Sequence, residues 1–493
     1  ITRLDYPDLD VIRVEDTYYM VSTTMHFMPG CEILQSFDLV HWEHVTYVYE
    51  TLDHTDAQQL KSGQNIYGQG MWAASLRYHE GRFYICFVAN DTRKTYLYTS
   101  EKIDGPWKKQ LIEGFYHDGS LLFDEDGRNY IVYGNDEIWI TELNEDLTAP
   151  KKDGLHRLLV SDHKNPELGY EGSHIQKING YYYIFLVHSL RDRWMRTEAC
   201  FYSDSLEGEF TGGDVLCDDR GYCGQGVAQG GIVDTPDGKW YAMLFQDSGA
   251  VGRIPILLPV TWKDHFPFFG QNGHVPEEIE VHSTRPGYIY QPLVGSDDFC
   301  NGLLPRWQFN HDPDPRYYHL DALQGTYTIT TREVCTELTQ AVNTLTQRMS
   351  YPSCAAEVTV DASALKEGDV AGLCALQGCY AAVGITKHHG KYEVLMLDKK
   401  EDGILDMTEG TVVESHQMDF RLEADFCNMK DEARCYYRVN KGDWLPIGTV
   451  HKLYFKLDHF TGCRFGLFCY AAEKTGGSAC FRDFKYYDVD EIS

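Results

Sequence analysis

The feature that most constrains the fold of this chain is a pattern that recurs five times in its first half. Each copy is a short apolar run, a polar turn and an aromatic-rich run, and the last four turns carry a glycine at the same place. Such a pattern is typical of a β-hairpin in which glycine supplies a positive φ angle. The copies lie at residues 8–21, 72–87, 118–133, 171–186 and 229–244.

The spacing of these copies predicts a β-propeller. Tyr19, Tyr84, Tyr130, Tyr183 and Tyr241 occupy the same place in the five copies and are separated by 65, 46, 53 and 58 residues. Four strands with their loops fill about this length, as in a propeller blade. We therefore expect a five-bladed β-propeller over residues 1–290.

The second half of the chain has a different pattern. Short alternating runs such as GTYTITT (325–331) and CAAEVTV (354–360) follow one another, and no amphipathic helix of useful length interrupts them. This pattern predicts a β-sandwich of the jelly-roll type over residues 291–493. The predicted fold class is therefore all-β, with a propeller followed by a sandwich.

Alignment of the five copies on their tyrosines places three acidic residues at equivalent positions. The residues eleven or twelve before each tyrosine are Asp8, Trp72, Asp118, Glu171 and Gln229. Equivalent positions in a propeller surround the central axis, so the three carboxylates converge at one mouth. A single aspartate at a strand entry is usually a turn residue. Three carboxylates that repel one another indicate a functional site instead.

Three converging carboxylates suit glycoside hydrolysis. An inverting enzyme holds a general acid and a general base roughly 6.5–9.5 Å apart, with a water between the base and the sugar. A third carboxylate raises the pKa of the acid by repulsion. A retaining mechanism, with carboxyl groups about 5 Å apart, stays open at this point. Calcium binding is the weaker alternative, because DEDG at 124–127 lacks the remainder of an EF-hand loop and indicates a hairpin turn.

Composition limits the partners of the chain. The formal net charge of −30 argues against nucleic acid and anionic membranes and is compatible with a neutral substrate. The 15 cysteines are scattered and include no C-x-x-C pair, which argues against a disulfide framework or a zinc site. Free thiols suit a reducing compartment, and no apolar run approaches a membrane span, so we expect a cytoplasmic protein.

Three ordered motifs resemble glycoside hydrolase family 43. They are YPDLDVIRVEDTYYM (6–20), HDGSLLFDEDGRNY (117–130) and YEGSHIQKINGYYY (170–183). The resemblance implies that Asp8 is the general base, Asp118 the residue that tunes and orients the acid, and Glu171 the general acid. Asp10 lies on the same side of the strand as Asp8 and is the main rival for the base.

The resemblance also implies a set of substrate-binding residues. By this resemblance, Phe27 lies beside the sugar, Trp72 forms the pocket wall and Arg253 contacts a sugar hydroxyl. The alternative for each aromatic residue is a place in the core, and the alternative for Arg253 is an ion pair. Gln229 replaces a histidine that helps many members hold a central metal or water. A water-filled axis is therefore as good an expectation as a central calcium.

The second half resembles the concanavalin-like domain of one branch of this family, in which a loop of the sandwich reaches over the pocket. The resemblance implies an optional structural calcium, held by an aspartate at the start of the domain and one in the last strand. Asp297 or Asp298 is the first candidate. Arg482 stands where the second aspartate usually falls, with Asp483 one place on, which would face the other side of a regular strand.

These observations predict an exo-acting, inverting glycosidase that needs no cofactor. We expect it to remove terminal α-L-arabinofuranosyl residues from neutral, arabinoxylan-type oligosaccharides of hemicellulose. A β-D-xylosidase or a bifunctional enzyme of the same family is the alternative. A non-catalytic carbohydrate-binding propeller is the alternative of another class. No oligomeric state is predicted.

Overall fold

The computed structural model of the protein describes residues 1–488, and nearly all of the regular structure in this range is β-strand. Its helices are four single turns of 3-10 type, and none of them is long or apolar enough to cross a bilayer. They are Lys61–Gly63, Gly249–Val251, Leu338–Gln340 and Cys427–Met429. The predicted all-β class is confirmed.

Five antiparallel sheets of four strands follow one another along the chain, with strands numbered in chain order. Blade one contains β1 (Asp10–Val14), β2 (Thr17–Val21), β4 (Gly30–Ser36) and β5 (Glu43–Tyr49), and β3 (Phe27–Met28) lies in its β2–β4 connection. Blade two contains β6 (Met71–His79), β7 (Arg82–Ala89), β8 (Lys94–Ser100) and β9 (Lys108–Ile112). Blade three contains β10 (Ser120–Phe123), β11 (Asn129–Asn135), β12 (Glu137–Leu143) and β13 (His156–Ser161).

The last two blades follow the same order. Blade four contains β14 (Glu171–Ile178), β15 (Tyr181–Ser189), β16 (Arg196–Ser203) and β17 (Thr211–Leu216). Blade five contains β18 (Ala228–Asp234), β19 (Trp240–Asp247), β20 (Arg253–Lys263) and β21 (Phe266–Phe269). The first strand of each blade touches its neighbours around the axis, and β1 closes the ring against β18. The predicted five-bladed propeller is confirmed.

The sandwich consists of two sheets that pack face to face around the largest apolar core of the described chain. The first sheet contains, in spatial order, β3, β22 (Gln308–Asn310), β25 (Leu345–Arg348), β35 (Arg464–Ala471), β27 (Asp369–Leu376), β28 (Ala381–His388), β29 (Lys391–Lys399) and β30 (Leu405–Met407), with β31 (Thr411–Val413) also paired to β29. The second contains β23 (Tyr318–Asp321), β24 (Thr326–Thr330), β36 (Ser478–Asp488), β26 (Ser353–Asp361), β32 (Gln417–Asp425), β33 (Glu432–Arg438) and β34 (Leu445–Lys452).

The two parts of the chain share a sheet. The propeller ends with β21 at Phe269 and the next strand, β22, begins at Gln308, so the predicted boundary at residue 290 lies in the connecting segment. However, β3 leaves the first blade and pairs with β22, where Phe27 stands opposite Asn310. This pairing joins the propeller to the sandwich and positions sandwich residues near the propeller axis.

Candidate active site

The entries of the five inner strands have a common irregularity. One residue in each entry has a positive φ angle, and where the strand pairing spans this point, in blades two, four and five, the register shifts there. These residues are Asp8, Ala73, Asp118, Gly172 and Gln229. Trp72 and Glu171 stand one position earlier, so the prediction that they are equivalent to Asp8 is wrong by one residue.

The reason for this shift is the length of the hairpin turn. Tyr130 pairs with Leu122, eight residues before it, whereas Tyr183 pairs with Gln176, seven residues before it. Blades three and five have one more turn residue than the others. In blades three and five, the residue twelve positions before the tyrosine is therefore the bulge residue. In blades two and four, the same count reaches the residue before the bulge. The position before the bulge in blade three belongs to His117, which the sequence interpretation passed over.

Asp8 is a buried carboxylate with both oxygens engaged. Thr23 donates from Oγ1 to Oδ2 at 2.7 Å, while Gln229 Nε2 and Arg253 Nη1 donate to Oδ1 at 3.0 and 2.9 Å. Its side chain is about one-tenth exposed. These contacts hold the carboxylate in one orientation at the mouth of the axis, as a general base requires.

Asp10 is occupied by structural contacts and lies deeper along the axis. Its Oδ2 accepts hydrogen bonds from Arg77 Nη1 and the Leu76 backbone N–H, and His174 Nδ1 lies 3.2 Å from its Oδ1. Burial opposes ionisation, but the charge of Arg77 and the contact with His174 outweigh it and lower the pKa of Asp10 to about 2. This geometry disfavours Asp10 as the base.

Asp118 and Glu171 lie together with His117, and their facing atoms all lie within 4.8 Å of one another. Burial is the main reason that the pKa of Asp118 is raised, to about 6; the charge of His117 opposes this rise, and the negative charges of Glu171 and Asp8 add to it. The Gly172 N–H donates to Asp118 Oδ2 at 3.0 Å. The arrangement places two carboxyl groups and an imidazole around one proton-exchanging centre.

Glu171 is the most accessible of the three predicted catalytic carboxylates. Its side chain is 18% exposed, and Asn135 Nδ2 donates to its Oε2 at 2.8 Å. It opens strand β14, one residue before the bulge, so it projects toward the mouth. A carboxyl group at such a position has access to the leaving-group oxygen of a bound glycoside.

A loop of the sandwich completes the pocket wall. The Phe460 ring lies 5.6 Å from the ring of Trp72 and 4.4 Å from the guanidinium carbon of Arg253, measured to ring centroids. Arg253 Nη2 donates to the Phe460 carbonyl at 3.4 Å. Arg253 is thus buried between Asp8 and this loop, an arrangement that differs from a loose surface ion pair.

Gln229 links Asp8 to a second set of charges. Besides donating to Asp8, its side-chain oxygen accepts a hydrogen bond from Arg196 Nη1 at 3.3 Å, and its N–H donates to Glu198 Oε2 at 2.7 Å. Arg196 in turn pairs with Asp247 at 3.1 Å. Gln229 therefore orients Asp8, whatever contact it makes with a sugar.

Phe27 does not offer a face to a ligand in this structure. Its side chain is fully buried, and the guanidinium of Arg464 lies 3.5 Å above its ring. The neighbouring His26 ring lies 4.3 Å away, tilted by 34°. The pairing of β3 with the sandwich covers this residue, which is a contact that could not be inferred from the first half of the chain alone.

The proposed calcium ligands of the sandwich lie around one cleft. It is lined by Asp297, Asp298 and Asp483 among others, and Asp483 has a φ of 52° at a break in the β26–β36 register. This bulge brings Asp483 to the same cleft as Asp297. However, Asp297 already accepts the Phe299 N–H and the Trp307 indole N–H. Within residues 1–488 the three acids do not form a convergent ligand group, so the donor set does not fit a preformed ion site.

Three residues of this site were missed in the sequence. His117 was hidden by the turn-length difference, and a bulge-based alignment would have found it. Arg196 opens β16, a strand that was not part of the repeat motif. Phe460 comes from the sandwich, where the resemblance implied a covering loop but no particular residue.

Comparisons with known proteins agree with this arrangement. The family model described as glycosyl hydrolases family 43 matches residues 1–267, and that of the beta xylosidase C-terminal concanavalin A-like domain matches residues 296–487. A "Beta-xylosidase" of Formosa agariphila is 26% identical, over 99% of this chain and 88% of its own length.

Two solved structures extend the likeness. A "Bifunctional GH43-CE" protein of Bacteroides eggerthii is 42% identical with a TM-score of 0.92, and the match covers all of this chain but 63% of that one. An engineered GH43 enzyme, described as displaying both endo-xylanase and exo-arabinofuranosidase activity, is 28% identical with a TM-score of 0.86 over 99% of both chains. With more than half of its length matched by the family model, the chain belongs to glycosyl hydrolase family 43.

Proposed function

We propose that this chain is an exo-acting, inverting glycosidase that removes terminal pentose units from hemicellulose oligosaccharides. The observation that carries the proposal is the division of the pocket into two acidic sites. Arg253, Gln229 and Thr23 hold Asp8, while Asp118 and Glu171 lie with His117 in a group of atoms within 4.8 Å of one another to which Asp8 does not belong. A base that is separated from the acid leaves room for the attacking water.

In the proposed reaction, Asp8 takes a proton from a water molecule while the oxygen of that water bonds to the anomeric carbon. The glycosidic C–O bond breaks, and Glu171 gives its proton to the departing oxygen. Asp118 orients Glu171 and keeps the negative charge of the pocket high. The anomeric configuration is inverted because the sugar is attacked once, on the face opposite the leaving group.

For the sugar, we propose an α-L-arabinofuranosyl unit of arabinoxylan-type chains first. The description of the engineered structural relative, which includes exo-arabinofuranosidase activity, supports this choice. A β-D-xylosyl unit is the second candidate, supported by the name of the Formosa agariphila relative. Exo action is supported by Trp72, Arg253 and Phe460, which pack against one another and form a wall beside Asp8.

Initial rates on an aryl α-L-arabinofuranoside and an aryl β-D-xylopyranoside test the proposal. We expect hydrolysis of at least one, with the arabinoside preferred, and loss of the rate in Asp8→Asn. Asp126→Asn, an exposed aspartate of a hairpin turn, is the matched control. A xyloside preference would replace the sugar and keep the mechanism. No hydrolysis of either aryl glycoside or of arabinoxylan oligosaccharides would support a non-catalytic binding propeller.

The stereochemistry has its own test. NMR spectra recorded during the first minutes of hydrolysis are expected to show the product sugar with inverted anomeric configuration. A product that retains the configuration of the substrate would overturn the inverting mechanism.

We also propose that the reaction needs no cofactor and that the protein works in the reducing environment of a cytoplasm. All fifteen cysteines are unpaired, and those of the sandwich core, such as Cys354, Cys374 and Cys463, are buried. Such thiols persist where the medium is reducing. Activity that is unchanged by a thiol reductant, but lowered by mild oxidation, is the expected result.

A further inference from the structure

His117 occupies a position that the proposed mechanism has not used. Its Nε2 lies 3.5 Å from Asp118 Oδ2 and 3.6 Å from Glu171 Oε2, and this buried atom has no closer hydrogen-bond partner. His117 and Glu171 stand at the same place, one residue before the bulge, in blades three and four. The imidazole therefore lies between the two carboxyl groups because of the propeller geometry itself.

The surroundings of this imidazole are negative. Asp118, Glu171 and Asp8 face it, and the ring of Trp72, at 6.1 Å between centroids, is its uncharged neighbour. The two nearby arginines make their direct contacts elsewhere, Arg253 with Asp8 and Arg196 with Asp247 and Gln229, although the charge of Arg196 also reaches Glu171. His117 is thus the cation that the Asp118–Glu171 pair meets directly.

The charge of Asp118 above all, with Glu171 and Asp8 adding to it, raises the pKa of His117 to about 9, against the effect of burial. At neutral pH the ring is an imidazolium with a proton on Nε2. Two neighbouring carboxyl groups without such a cation would hold their shared proton more tightly, because ionising the second one costs more.

We infer that His117 is a positioning residue whose imidazole lies between Asp118 and Glu171 and sets how readily this pair of carboxyl groups gives up the proton of the reaction. The charge of His117 and the Gly172 N–H both act to lower the pKa of Asp118, against the larger effect of burial, which raises it to about 6. Glu171 accepts a hydrogen bond from Asn135 Nδ2, which helps to orient it beside His117. This inference rests on the proposed role of Glu171.

The pH dependence of kcat/KM in His117→Asn tests the inference. Without the imidazolium the pair holds its proton more tightly, so the basic limb is expected to move up by about one pH unit or more. The plateau is expected to fall by about tenfold, because the proton is then shared with Asp118. His117→Lys, which restores a positive charge, is expected to bring the limb back.

His156→Asn is the matched control, since His156 lies on an outer strand of the same blade and contacts Thr141 and Trp139. It is expected to leave the limb in place. A basic limb that does not move in a folded His117→Asn enzyme would overturn the inference, even if the rate fell. Full activity of Glu171→Gln would instead overturn the proposed function, so the two failures are distinguishable.

A second measurement does not depend on catalysis. NMR spectra of the histidine-labelled wild-type protein, with the His117 signal assigned by its absence in His117→Asn, are expected to show an imidazolium that stays protonated from pH 6 to 8. A neutral His117 at pH 7 would overturn the inference.

Discussion

Histidine side chains occur in two settings near the mouth of the propeller. In the pocket, His117 faces three carboxylates. At the junction with the sandwich, His26, His311 and His459 pack on one another and on Tyr67, with ring centroids 4.6–5.1 Å apart. The three junction rings are buried and the His117 side chain is 22% exposed, and the two settings also differ in what surrounds the imidazole.

The junction cluster favours neutral rings. Burial lowers the pKa of His26 and His311 well below the usual value and that of His459 to about 3, and neighbouring imidazoles and Arg464 act in the same direction. In the pocket, nearby carboxylates outweigh burial and raise the pKa instead. The charge of a buried histidine is therefore set by its neighbours more than by the burial itself.

The difference between the two histidine settings corresponds to a difference in role, with the pocket serving the reaction and the junction serving the contact between the two domains. The cation in the pocket acts on the carboxyl groups proposed for the reaction. The neutral cluster packs the loop that carries Phe460 against the propeller, because His459 is the residue before it. Changes in the pocket should alter turnover and spare stability, and changes at the junction should do the reverse.

Glu171→Gln is expected to give the largest effect. Removal of the acidic proton should lower kcat/KM on natural oligosaccharides by about 10²- to 10⁴-fold, while an aryl substrate with a good leaving group loses less. The melting temperature should stay within a few degrees of wild type, because the side chain is partly exposed, a glutamine can keep the hydrogen bond from Asn135, and the His117 contact that loses its charge is 3.6 Å long. Glu125→Gln, an exposed glutamate, is the control. A near-normal rate on oligosaccharides would remove Glu171 from the mechanism.

The junction cluster predicts a loss of stability in acid. Each of its three histidines has a folded pKa below the unfolded value of about 6.5, so the unfolded chain binds more protons as pH falls below 6.5. Stability present above pH 6.5 is then lost at about 1.4 kcal/mol per pH unit for each histidine.

His459→Phe isolates one of these contributions. The variant should show a pH slope of unfolding free energy smaller by about 1.4 kcal/mol per unit between pH 6 and 5. Denaturant unfolding of both proteins at several pH values measures this difference, and kcat at pH 7.5 should be nearly unchanged. Equal slopes in the two proteins would contradict the comparison.

Phe460→Ala tests the contact between the two regions. The ring covers Arg253 and faces Trp72, so its loss should widen the pocket and raise KM by about tenfold, with a smaller change in kcat. Leu457→Ala, an exposed residue of the same loop, is the control and should leave KM in place. If both variants behaved alike, the loop would act through its backbone and not through the ring.

Metal removal is expected to have the smallest effect. Prolonged dialysis against EDTA should leave kcat/KM within about twofold, since the proposed steps use only side chains of this chain. The melting temperature should also stay within about 2 °C, because Asp297 is satisfied by protein donors. An activity lost to EDTA and restored by calcium would show that an ion is part of the site.

Much of the fold could be predicted from local patterns. The alternation of apolar residues and the turn glycines mark hairpins, since strand side chains alternate faces and tight turns need positive φ. Asp8 and Asp118 could be aligned for the same reason. The residue equivalent to Glu171 in blade three, His117, could not be identified in this way. One extra turn residue in blades three and five shifts the alignment of these blades by one position.

The remainder depended on contacts between distant segments. The motif around Phe27 predicts an aromatic residue of the pocket. In the structure, however, Phe27 is buried by its strand pairing with Asn310 and by the guanidinium of Arg464 above its ring. The sequence offers both Asp8 and Asp10 as candidates for the general base. The structure distinguishes them by their partners, since Arg77 pairs with Asp10 and Arg253 with Asp8. Such contacts join residues more than sixty positions apart, which no local pattern records.

The sequence by itself determined the family and the repeated hairpins and predicted three candidate carboxylates, because these follow from short-range periodicity and motifs. The tertiary structure decided which groups surround each carboxylate and each histidine. Charge states depend on neighbours within a few ångströms. In this chain those neighbours are brought together by closure of the propeller and by the loop of the sandwich that covers it.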